Sequence, residues 1–496
     1  YTPIFSGYGA PAVASRLRDC EATVLVTADG FLRRGSVVPM KAVADEAVAL
    51  APSVQRVLVV RRLGDRADAP PWTRDRDRWW DEALEAARMA MLDEGEPLEM
   101  TSTDPETPYM LIYTSGTTGR PKAAVHVHGG FPVKAAQDLA HTFDLRAGDT
   151  LFWFTDLGWM MGPWAISGAL LLGAHLVLYE GAPDHPGPDR LWSLVERHRI
   201  THLGLSPTVV RALIQHGPDP VRGHDLATLR VLGSTGEPWD PESWSWFFRE
   251  VGGGRLPVVN YSGGTEVSGG IVGCNLLAPI KPASFNGPCV GTIADVIDPD
   301  GRPLRGEVGE LAIRAPEPGM TRGFWQDRDR YLETYWQRVP GTWLHGDWAV
   351  VDDDGHWYIR GRSDDTLKVA GKRVGPAEVE AAACGHPAVI EAAAIGVPHA
   401  IKGETIVVVC TLRRGEQDDD ELRAAIARRV VEDLGKTLRP EAIAVVAALP
   451  KTRSGKIMRR VVRAAWLGLD PGDLSALDDP STVEAIRNAG PNSVAS

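Results

Sequence analysis

The chain has 496 residues, more than one hydrophobic core usually holds, so we expect two or more domains. Its composition, 44% hydrophobic and 24% charged, is typical of globular proteins and excludes a collagenous, coiled-coil or wholly disordered chain. The 53 Lys and Arg residues against 65 Asp and Glu give a net charge of −12, which disfavours nucleic acid or an anionic membrane as a partner.

Apolar, β-rich runs alternate with helical patterns through most of the chain. The helical patterns include residues 190–198 and 241–250. This alternation is typical of α/β proteins with largely parallel sheets. The predicted strands of this part are residues 23–27, 55–60, 111–114, 175–179, 200–205, 229–232 and 256–261.

One uncharged stretch, residues 160–179, is long enough to span a bilayer. It contains Pro163 and Gly173 and lacks flanking basic residues or an aromatic belt. We therefore predict a buried helix over about 165–172, a turn at Gly173 and a buried strand.

The pattern changes twice further along the chain. Residues 286–314 contain short β segments separated by Gly, Pro and Asp turns, which predicts a small antiparallel or β-barrel-like part. After Gly361 the pattern becomes that of a small α+β unit. Its predicted elements are a helix at 378–383, strands at 389–395 and 405–411, a helix at 420–434 and a strand at 442–446.

We therefore predict a large N-terminal domain over residues 1–363 and a C-terminal domain over 364–482. The Asp-, Ser- and Pro-rich sequence from about Gly468 is expected to be loosely attached, with 483–496 as a tail. The chain starts with Tyr1 rather than Met, which suggests that it starts inside a longer protein.

The five cysteines form no C-x-x-C pair, so the sequence predicts neither a zinc site nor a disulfide framework. This cysteine content fits a reducing compartment, and no signal peptide is visible. We expect a cytoplasmic protein.

The strongest chemical signal is the run Y-T-S-G-T-T-G-R-P-K at residues 113–122, directly after an apolar segment. Its glycines let the backbone approach a phosphate chain, its hydroxyls and N–H groups donate to phosphate oxygens, and Lys122 adds a positive charge. The run is not a Walker motif. A solvated turn is the alternative, but the density of these residues after a buried strand favours phosphate binding.

This run resembles the phosphate loop of the adenylate-forming (AMP-binding) superfamily, which includes acyl-CoA synthetases, luciferases and peptide-synthetase adenylation domains. Five further stretches follow in that superfamily's order, and the last resembles the C-terminal signature of acetyl-CoA synthetases. They are G-S-T-G-E-P at 233–238, Y-S-G-G-T-E at 261–266, H-G-D at 345–347, G-R-S-D-D-T-L-K-V-A-G-K-R at 361–373 and P-K-T-R-S-G-K-I-M-R-R at 450–460.

The resemblance covers essentially the whole chain and implies that the family's N-terminal segment is absent. It implies a large N-terminal adenylation domain of several subdomains and a small mobile C-terminal domain. The implied reaction joins a carboxylic acid to AMP with loss of pyrophosphate, because a carboxylate by itself is a poor acyl donor. Coenzyme A would then attack the acyl carbon and release AMP, with ATP and CoA as substrates and Mg²⁺ as cofactor.

The resemblance also implies roles for individual residues. Lys456 would bridge the carboxylate and the α-phosphate, Thr265 would donate to the α-phosphate, and Glu266 would ligate Mg²⁺. Asp347 would accept from the ribose hydroxyls, with Arg362 near the ribose and Arg373 at a phosphate. The remaining nucleotide-binding positions would be Thr114, Ser115, Gly116, Thr117, Thr118, Gly119, Lys122, Gly236, Glu237, Pro238, Tyr261, Ser262, Gly263 and Gly264.

Four further positions concern domain motion, CoA and a second cation. Asp364 stands at the family's hinge between domains, and Ala370 and Gly371 stand where the pantetheine arm of CoA passes. His386 stands near a position where the family sometimes holds a cation, although a helix-capping role explains this histidine equally well.

The acyl pocket departs from the acetate branch, which has W-W-Q-T-E where this chain has S-G-G-T-E. Gly263 replaces the second Trp, so we expect space for an acid longer than propionate. Acetate or propionate is the competing hypothesis, since methionines could refill that space. The expected acyl-pocket residues are Trp159, Met160, Met161, Thr235 and Gly263.

Two other functions are weighed against the CoA ligase. An adenylation enzyme that loads a carrier protein would need that carrier as a separate partner, because too few residues follow Leu467 to form one. A catalytically silent regulatory homologue would have lost its transfer residues, whereas Lys456, Glu266 and Asp347 are present.

Overall fold

The computed structural model describes residues 1–66, 68–94, 100–114, 122–363, 367–369, 372–399, 403–452, 455–472, 474 and 477–491. It confirms the predicted α/β class with a large N-terminal domain and a small C-terminal domain. We keep the division after residue 363 as a proposal, because residues 364–366 lie outside the described ranges.

The chain begins with a three-stranded parallel sheet in the order β1-β4-β5. Val57 and Val59 of β4 are fully buried against the first two helices. The elements of this part are α1 (Ala10–Asp19), β1 (Val24–Ala28), β2 (Phe31–Arg33), β3 (Ser36–Val38), α2 (Met40–Ala49), β4 (Arg56–Val60), β5 (Asp77–Trp79) and α3 (Trp80–Glu94).

A five-stranded parallel sheet in the order β12-β11-β10-β8-β9 forms the centre of the large domain. Its elements, with the preceding hairpin, are β6 (Pro108–Thr114), β7 (Lys122–Val127), α4 (Phe131–Thr142), β8 (Thr150–Trp153), α5 (Met161–Leu171), β9 (His175–Leu176), α6 (Arg190–His198), β10 (His202–Gly204), α7 (Pro207–Ile214), α8 (Asp219–Arg222), β11 (Val231–Ser234), α9 (Pro241–Trp246) and β12 (Val258–Asn260).

Both faces of this central sheet are buried, as parallel sheets require. Successive residues of β8 point to opposite faces, so Phe152 packs with helices α6, α7 and α9 while Leu151 and Trp153 pack with α4 and α5. The register pairs Ser234 with Asn260, so β11 and β12 end at the same edge of the sheet. The segments that follow them, 235–238 and 261–266, therefore lie side by side.

Two antiparallel sheets follow, β13-β14-β15 and β16-β17-β18-β19. The second is the predicted small antiparallel part. Their elements are β13 (Ser262–Gly264), β14 (Gly269–Gly273), β15 (Gly287–Pro288), β16 (Ala294–Ile297), β17 (Gly309–Ile313), α10 (Arg328–Tyr335), β18 (Trp343–Val351) and β19 (Trp357–Arg362).

The C-terminal domain is a mixed sheet with helices on both faces. Ile406 and Val408 of β23 pack with α11 and α12, and Val407 and Val409 pack with α13 and α14. Its elements are β20 (Leu367–Val369), β21 (Lys372–Val374), α11 (Pro376–Cys384), β22 (Val389–His399), β23 (Gly403–Leu412), α12 (Asp420–Leu434), β24 (Ala442–Val445), α13 (Arg459–Trp466) and α14 (Ser481–Ala489).

The end of the described chain corrects one prediction. Residues 481–489 form α14, whose Val483 and Ile486 are buried in the same cluster as Trp466. The expectation of a loosely attached segment from Gly468 is therefore wrong for this helix, because its apolar side chains complete the second face of the C-terminal core.

The uncharged stretch at 160–179 has the predicted arrangement in its first part, with helix α5, a turn at Gly173 (φ +70°) and strand β9. The strand is shorter than expected, at two residues. None of the helices in the part of the chain that the structure describes is long and apolar enough to cross a membrane.

The packing of α14 gives a stability prediction. Ile486→Ala removes a fully buried side chain and should lower the free energy of unfolding of the C-terminal domain by about 2–5 kcal/mol. Urea denaturation followed by Trp fluorescence measures this loss. Asn488→Ala, at an exposed position of the same helix, should stay within about 0.5 kcal/mol of wild type. Equal stability of the two variants would mean that α14 adds nothing to the core.

Candidate active site

A cavity of about 300 Å³ lies between the large domain and the C-terminal domain. The loops after β11 and β12 and strands β18 and β19 form one wall. Helix α11, the start of β22 and the turn that carries Lys456 form the other. Residues from five of the six sequence stretches predicted to be functional therefore line one cavity. They are Thr235, Gly236, Glu237, Pro238, Tyr261, Ser262, Gly263, Asp347, Arg362 and Lys456.

The loop after β11 is held by an ion pair that the sequence did not reveal. Arg211 of α7 donates to Glu237 Oε2 at 2.8 Å and approaches Asp240 at 3.3 Å. Glu237 Oε1 accepts from the backbone N–H of Thr208 at 2.7 Å and also from the Thr208 hydroxyl. Both carboxylate oxygens of Glu237 are therefore engaged by protein groups, while Gly236, at φ +104°, turns the backbone toward the cavity.

The segment after β12 is anchored by buried polar contacts of Tyr261. Tyr261 is buried, and its hydroxyl donates to Asp138, which also accepts from the Gly270 N–H at 3.0 Å and pairs with Lys134 at 3.0 Å. The Tyr261 side chain therefore points into the core, and the pKa of its hydroxyl is raised by burial and by the Asp138 carboxylate. At this position it is the backbone that adjoins the cavity.

Gly263 lines the cavity, but the interpretation of it as vacated space is wrong. An ideal Cβ at this position would lie 1.9 Å from the carbonyl oxygen of Gly269 on the paired strand. The register also shifts between Ser262 and Gly263, so β13 follows a bulged path. An indole has no room here unless the backbone moves.

Glu266 lies at the start of a short helical turn, Thr265–Val267, and is buried. Its Oε1 accepts from the Tyr335 hydroxyl at 2.9 Å and from the Thr114 hydroxyl at 3.3 Å. Burial, together with the Glu266 carboxylate, raises the pKa of Tyr335, so this phenol stays protonated and donates.

The two ends of the predicted phosphate loop meet at the same place. Thr114 contacts Glu266, and the ammonium of Lys122 lies 5.3 Å from the ring centre of Phe324 and 5.8 Å from that of Tyr335. Ser115, Gly116, Thr117, Thr118 and Gly119 lie outside the described residues, so their contacts stay predictions.

Asp347 is buried at the edge of the cavity on β18. Its Oδ1 accepts from Arg362 at 3.4 Å, and its Oδ2 lies 3.7 Å from His345 Nε2. His345 Nε2 also lies 3.2 Å from the carbonyl of Gly263. His345 thus joins the H-G-D stretch to the Y-S-G-G-T-E stretch. A side chain at position 264 would collide with His345, because an ideal Cβ on Gly264 would lie 2.6 Å from His345 Cε1.

Lys456 reaches the cavity from a turn that is closed on itself. The N–H of Thr452 donates to the carbonyl of Lys456 at 2.8 Å, and the N–H of Lys456 donates to the Thr452 hydroxyl at 3.1 Å. Gly455, at φ +90°, permits the sharp reversal just before the lysine.

Several predicted positions lie elsewhere or outside the described residues. Trp159 packs against Phe5, with ring centres 4.9 Å apart, and Met160 and Met161 pack against the core beside α5. None of these three lines the cavity among the residues described. Asp364, Ala370, Gly371 and the side chain of Arg373 fall outside the described part, so their roles stay predictions.

His386 follows helix α11, where its Nδ1 accepts from the N–H of Ala388 at 3.3 Å. The ring contact closes the turn after the helix, whereas the backbone N–H of His386 caps the helix end by donating to the carbonyl of Ala383 at 3.1 Å. A cation at His386 remains an untested prediction.

Sequence reasoning missed Thr208, Arg211 and Tyr335. They lie 29, 26 and 69 residues from the carboxylates that they contact, and none belongs to a recognised stretch. Arg211 sits one helical turn after Thr208 on α7, but nothing in that spacing indicates the partner. The one available signal is Arg211 itself, a cation in an otherwise apolar helix.

Two family models match the chain. The model of the AMP-binding enzyme covers residues 1–325, and that of the AMP-binding enzyme C-terminal domain covers residues 378–456. The chain belongs to the AMP-binding enzyme family. Curated relatives that are 40–42% identical over almost the whole chain are named acetyl-coenzyme A synthetase, so the chain is an AMP-forming acid–thiol ligase of the acyl-CoA synthetase type.

Curated relatives match over almost the whole chain. An acetyl-coenzyme A synthetase of Pyrobaculum aerophilum is 42% identical over 493 residues, covering 98% of this chain and 72% of the relative. An acetyl-coenzyme A synthetase of Methanothrix thermoacetophila is 42% identical over 498 residues, covering 98% and 73%. Among solved structures, the acetoacetyl-CoA synthetase from Streptomyces lividans matches with a TM-score of 0.84 and 31% identity, covering 97% of this chain and 72% of that one.

The Tyr335–Glu266 contact gives a prediction about this AMP-binding enzyme. Tyr335→Phe keeps the ring stacked on Trp343, 3.9 Å away, but removes a hydrogen bond to a carboxylate worth about 1.5–3 kcal/mol. We expect AMP formation to slow about tenfold or more, because Glu266 is no longer held in place. Initial-rate assays of AMP release measure the effect.

Tyr331→Phe is the matched control. Its hydroxyl lies in the same aromatic cluster but donates to the carbonyl of Thr321 at 3.3 Å rather than to Glu266. This variant should keep AMP formation within about twofold of wild type, since a neutral hydrogen bond contributes only about 0.5–1.5 kcal/mol to folding. Similar rates for the two variants would show that Glu266 does not depend on Tyr335.

Proposed function

We propose that this enzyme is an ATP-dependent carboxylate–CoA ligase. It converts an acid and ATP into an acyl-adenylate and pyrophosphate, and then transfers the acyl group to CoA with release of AMP. The observation that carries the proposal is the convergence of Lys456, Asp347 and the segments 235–238 and 261–263 on one cavity. The five free cysteines, three of them buried, are consistent with a cytoplasmic location for this chemistry.

In the first half-reaction a carboxylate oxygen attacks the α-phosphorus of ATP and pyrophosphate leaves. Negative charge gathers around that phosphorus, so fixed donors and cations stabilise the transition state. Lys456 would bridge the carboxylate and the α-phosphate, and the Thr265 hydroxyl would donate to the α-phosphate. In the second half-reaction the CoA thiol attacks the acyl carbon and expels AMP.

The nucleotide would lie along the large-domain wall of the cavity. Asp347 would accept hydrogen bonds from the ribose hydroxyls while Arg362 and His345 hold its carboxylate. Gly236 and Pro238 are both exposed and would border the adenine, whereas Glu237 would support that border from behind. Thr114 and Lys122 would hold the ends of the phosphate loop around the terminal phosphates.

The residues present fit a magnesium ion. Tyr335 and Thr114 both donate to Oε1 of Glu266, and Oε2 points toward Gly264, 3.3 Å from where a Cβ would be. A carboxylate oxygen is the kind of ligand that Mg²⁺ prefers. Within the described ranges no three His, Cys, Asp or Glu side chains form a metal-binding group, so Glu266 would share the ion with the phosphates. Magnesium would neutralise phosphate charge when bound.

The acid is proposed to be larger than acetate. Gly263 itself cannot provide the extra space, so the support comes from the names of similar proteins. The structural neighbour is named for acetoacetate, a longer acid, whereas the curated relatives are named for acetate. Acetate is therefore the competing substrate.

Lys456→Ala tests the proposed mechanism. The variant should lose ATP–pyrophosphate exchange, because the lysine acts only while the carboxylate attacks phosphorus. It should largely keep thioester formation from preformed acyl-adenylate and CoA. Lys436→Ala, at an exposed lysine of the same domain, should leave both half-reactions unchanged. A loss in both half-reactions for Lys456→Ala would contradict the assigned role.

The acid is tested by ATP–pyrophosphate exchange with acetate, propionate, butyrate, hexanoate and acetoacetate. Each buried methylene contributes about 0.8 kcal/mol, so kcat/KM should rise about fourfold per methylene until the cavity wall is met. A profile that peaks at acetate would decide for the competing substrate. Absence of exchange with every acid, in protein shown to be folded, would count against the proposed function itself.

A further inference from the structure

The turn that carries Lys456 rests on one residue of the large domain. Thr208, at the start of helix α7, has its hydroxyl 3.4 Å from the carbonyl oxygen of Gly455. An ideal Cβ on Gly455 would lie 2.5 Å from Cγ2 of Thr208. The backbone of Gly455 therefore packs directly on the methyl and hydroxyl of Thr208, across the boundary between the two domains.

Thr208 is itself held rigidly. Its N–H and its hydroxyl both donate to Oε1 of Glu237, and Arg211 donates to its Oγ1 at 2.9 Å. Because the single hydroxyl proton goes to the carboxylate, the Gly455 carbonyl is a secondary acceptor, and the support for Gly455 is mainly steric. Arg211 also pairs with the other oxygen of Glu237, so one ion pair fixes the side chain of Thr208.

In the C-terminal domain, the residues that flank Lys456 are also held by hydrogen bonds. Three backbone or side-chain hydrogen bonds close it between Thr452 and Lys456, including Gly455 N–H to the Thr452 carbonyl at 2.8 Å. The contacts among the described residues of the turn, together with the held side chain of Thr208, fix where the next residue, Lys456, enters the cavity. A second contact across the same boundary, Arg413 to Glu242 at 3.8 Å, lies between exposed groups and is therefore weak.

We propose that Thr208 is a positioning residue for Lys456, and that Glu237 and Arg211 act by holding Thr208. The inference rests on the proposed function, because it concerns the half-reaction in which Lys456 takes part. The proposal gives Glu237 a role besides nucleotide binding. This glutamate connects the loop after β11 to Thr208, the residue on which the Lys456 turn packs.

The test compares the two half-reactions in Thr208 variants of the full chain. Thr208→Ala removes methyl and hydroxyl and should slow ATP–pyrophosphate exchange about ten- to a hundredfold, since a displacement near 1 Å can cost that much. Thioester formation from preformed acyl-adenylate should stay within about twofold of wild type. Thr208→Ser and Thr208→Val, which each restore one group, should fall between Ala and wild type.

A second readout reports the seating of the domains without any chemistry. Glu242→Cys with Arg413→Cys places two thiols on opposite sides of the boundary, and a short bis-maleimide joins them when the domains are seated as described. Crosslinking should be slower when Thr208→Ala is added to this pair. The two single-cysteine variants control for reaction at native cysteines.

The outcomes separate the possibilities. Slower exchange with intact thioester formation and slower crosslinking supports the proposal. Unchanged exchange, or equal slowing of both half-reactions, overturns it, the latter because Thr208 would then only stabilise the fold. If wild type shows no exchange with any acid, the proposed function fails, and the crosslinking comparison alone decides the role of Thr208. If Thr208→Ala does not fold, the Ser and Val variants carry the same comparison.

Discussion

The parallel pairing of β11 with β12 is the constraint on which the site depends. Parallel strands that end in register deliver the segments after them to the same edge of the sheet, however far apart these are in sequence. Both segments begin on buried strands, so neither can shift without disturbing the cores on the two faces of the sheet. The loops after β11 and β12 are therefore anchored at the ends of buried strands.

Ion pairs also hold the two loops that follow β11 and β12 in place. Arg211 lies between Glu237 and Asp240, and although burial lowers the pKa of its guanidinium, the two carboxylates raise it above its ordinary value. A second buried group, Lys134 with Asp138, holds Tyr261 beneath the other loop. Each loop is therefore held by an ion pair, and Arg211 and Glu237 of the first pair also line the cavity.

Sequence predicted those features that depend on local chemistry. Helix α12 spans the predicted residues because Asp419 caps its first turn, accepting from the N–H of Leu422 at 2.8 Å. Several residues that line the cavity were predicted because the resemblance rests on ordered short stretches. Thr208 and Tyr335 could not be found, because their partners are distant in sequence and only the fold brings them together. Helix α14 was missed because Val483 and Ile486 are sparse apolar positions in a Pro- and Asp-rich sequence.

The close approach of Gly263 to Gly269 has a consequence for redesign of the enzyme. Position 263 lines the cavity that is proposed to hold the acid, and it would be a natural choice for a saturation library aimed at new acids. Every side chain larger than hydrogen would first collide with a backbone carbonyl, so such a library would select for sheet distortion rather than for acid fit. Thr235 faces the same cavity and already carries a side chain. Substitutions that reshape the cavity are therefore better placed in the loop after β11. At position 263, strand β13 tolerates few side chains, because its pairing with β14 leaves no room for them.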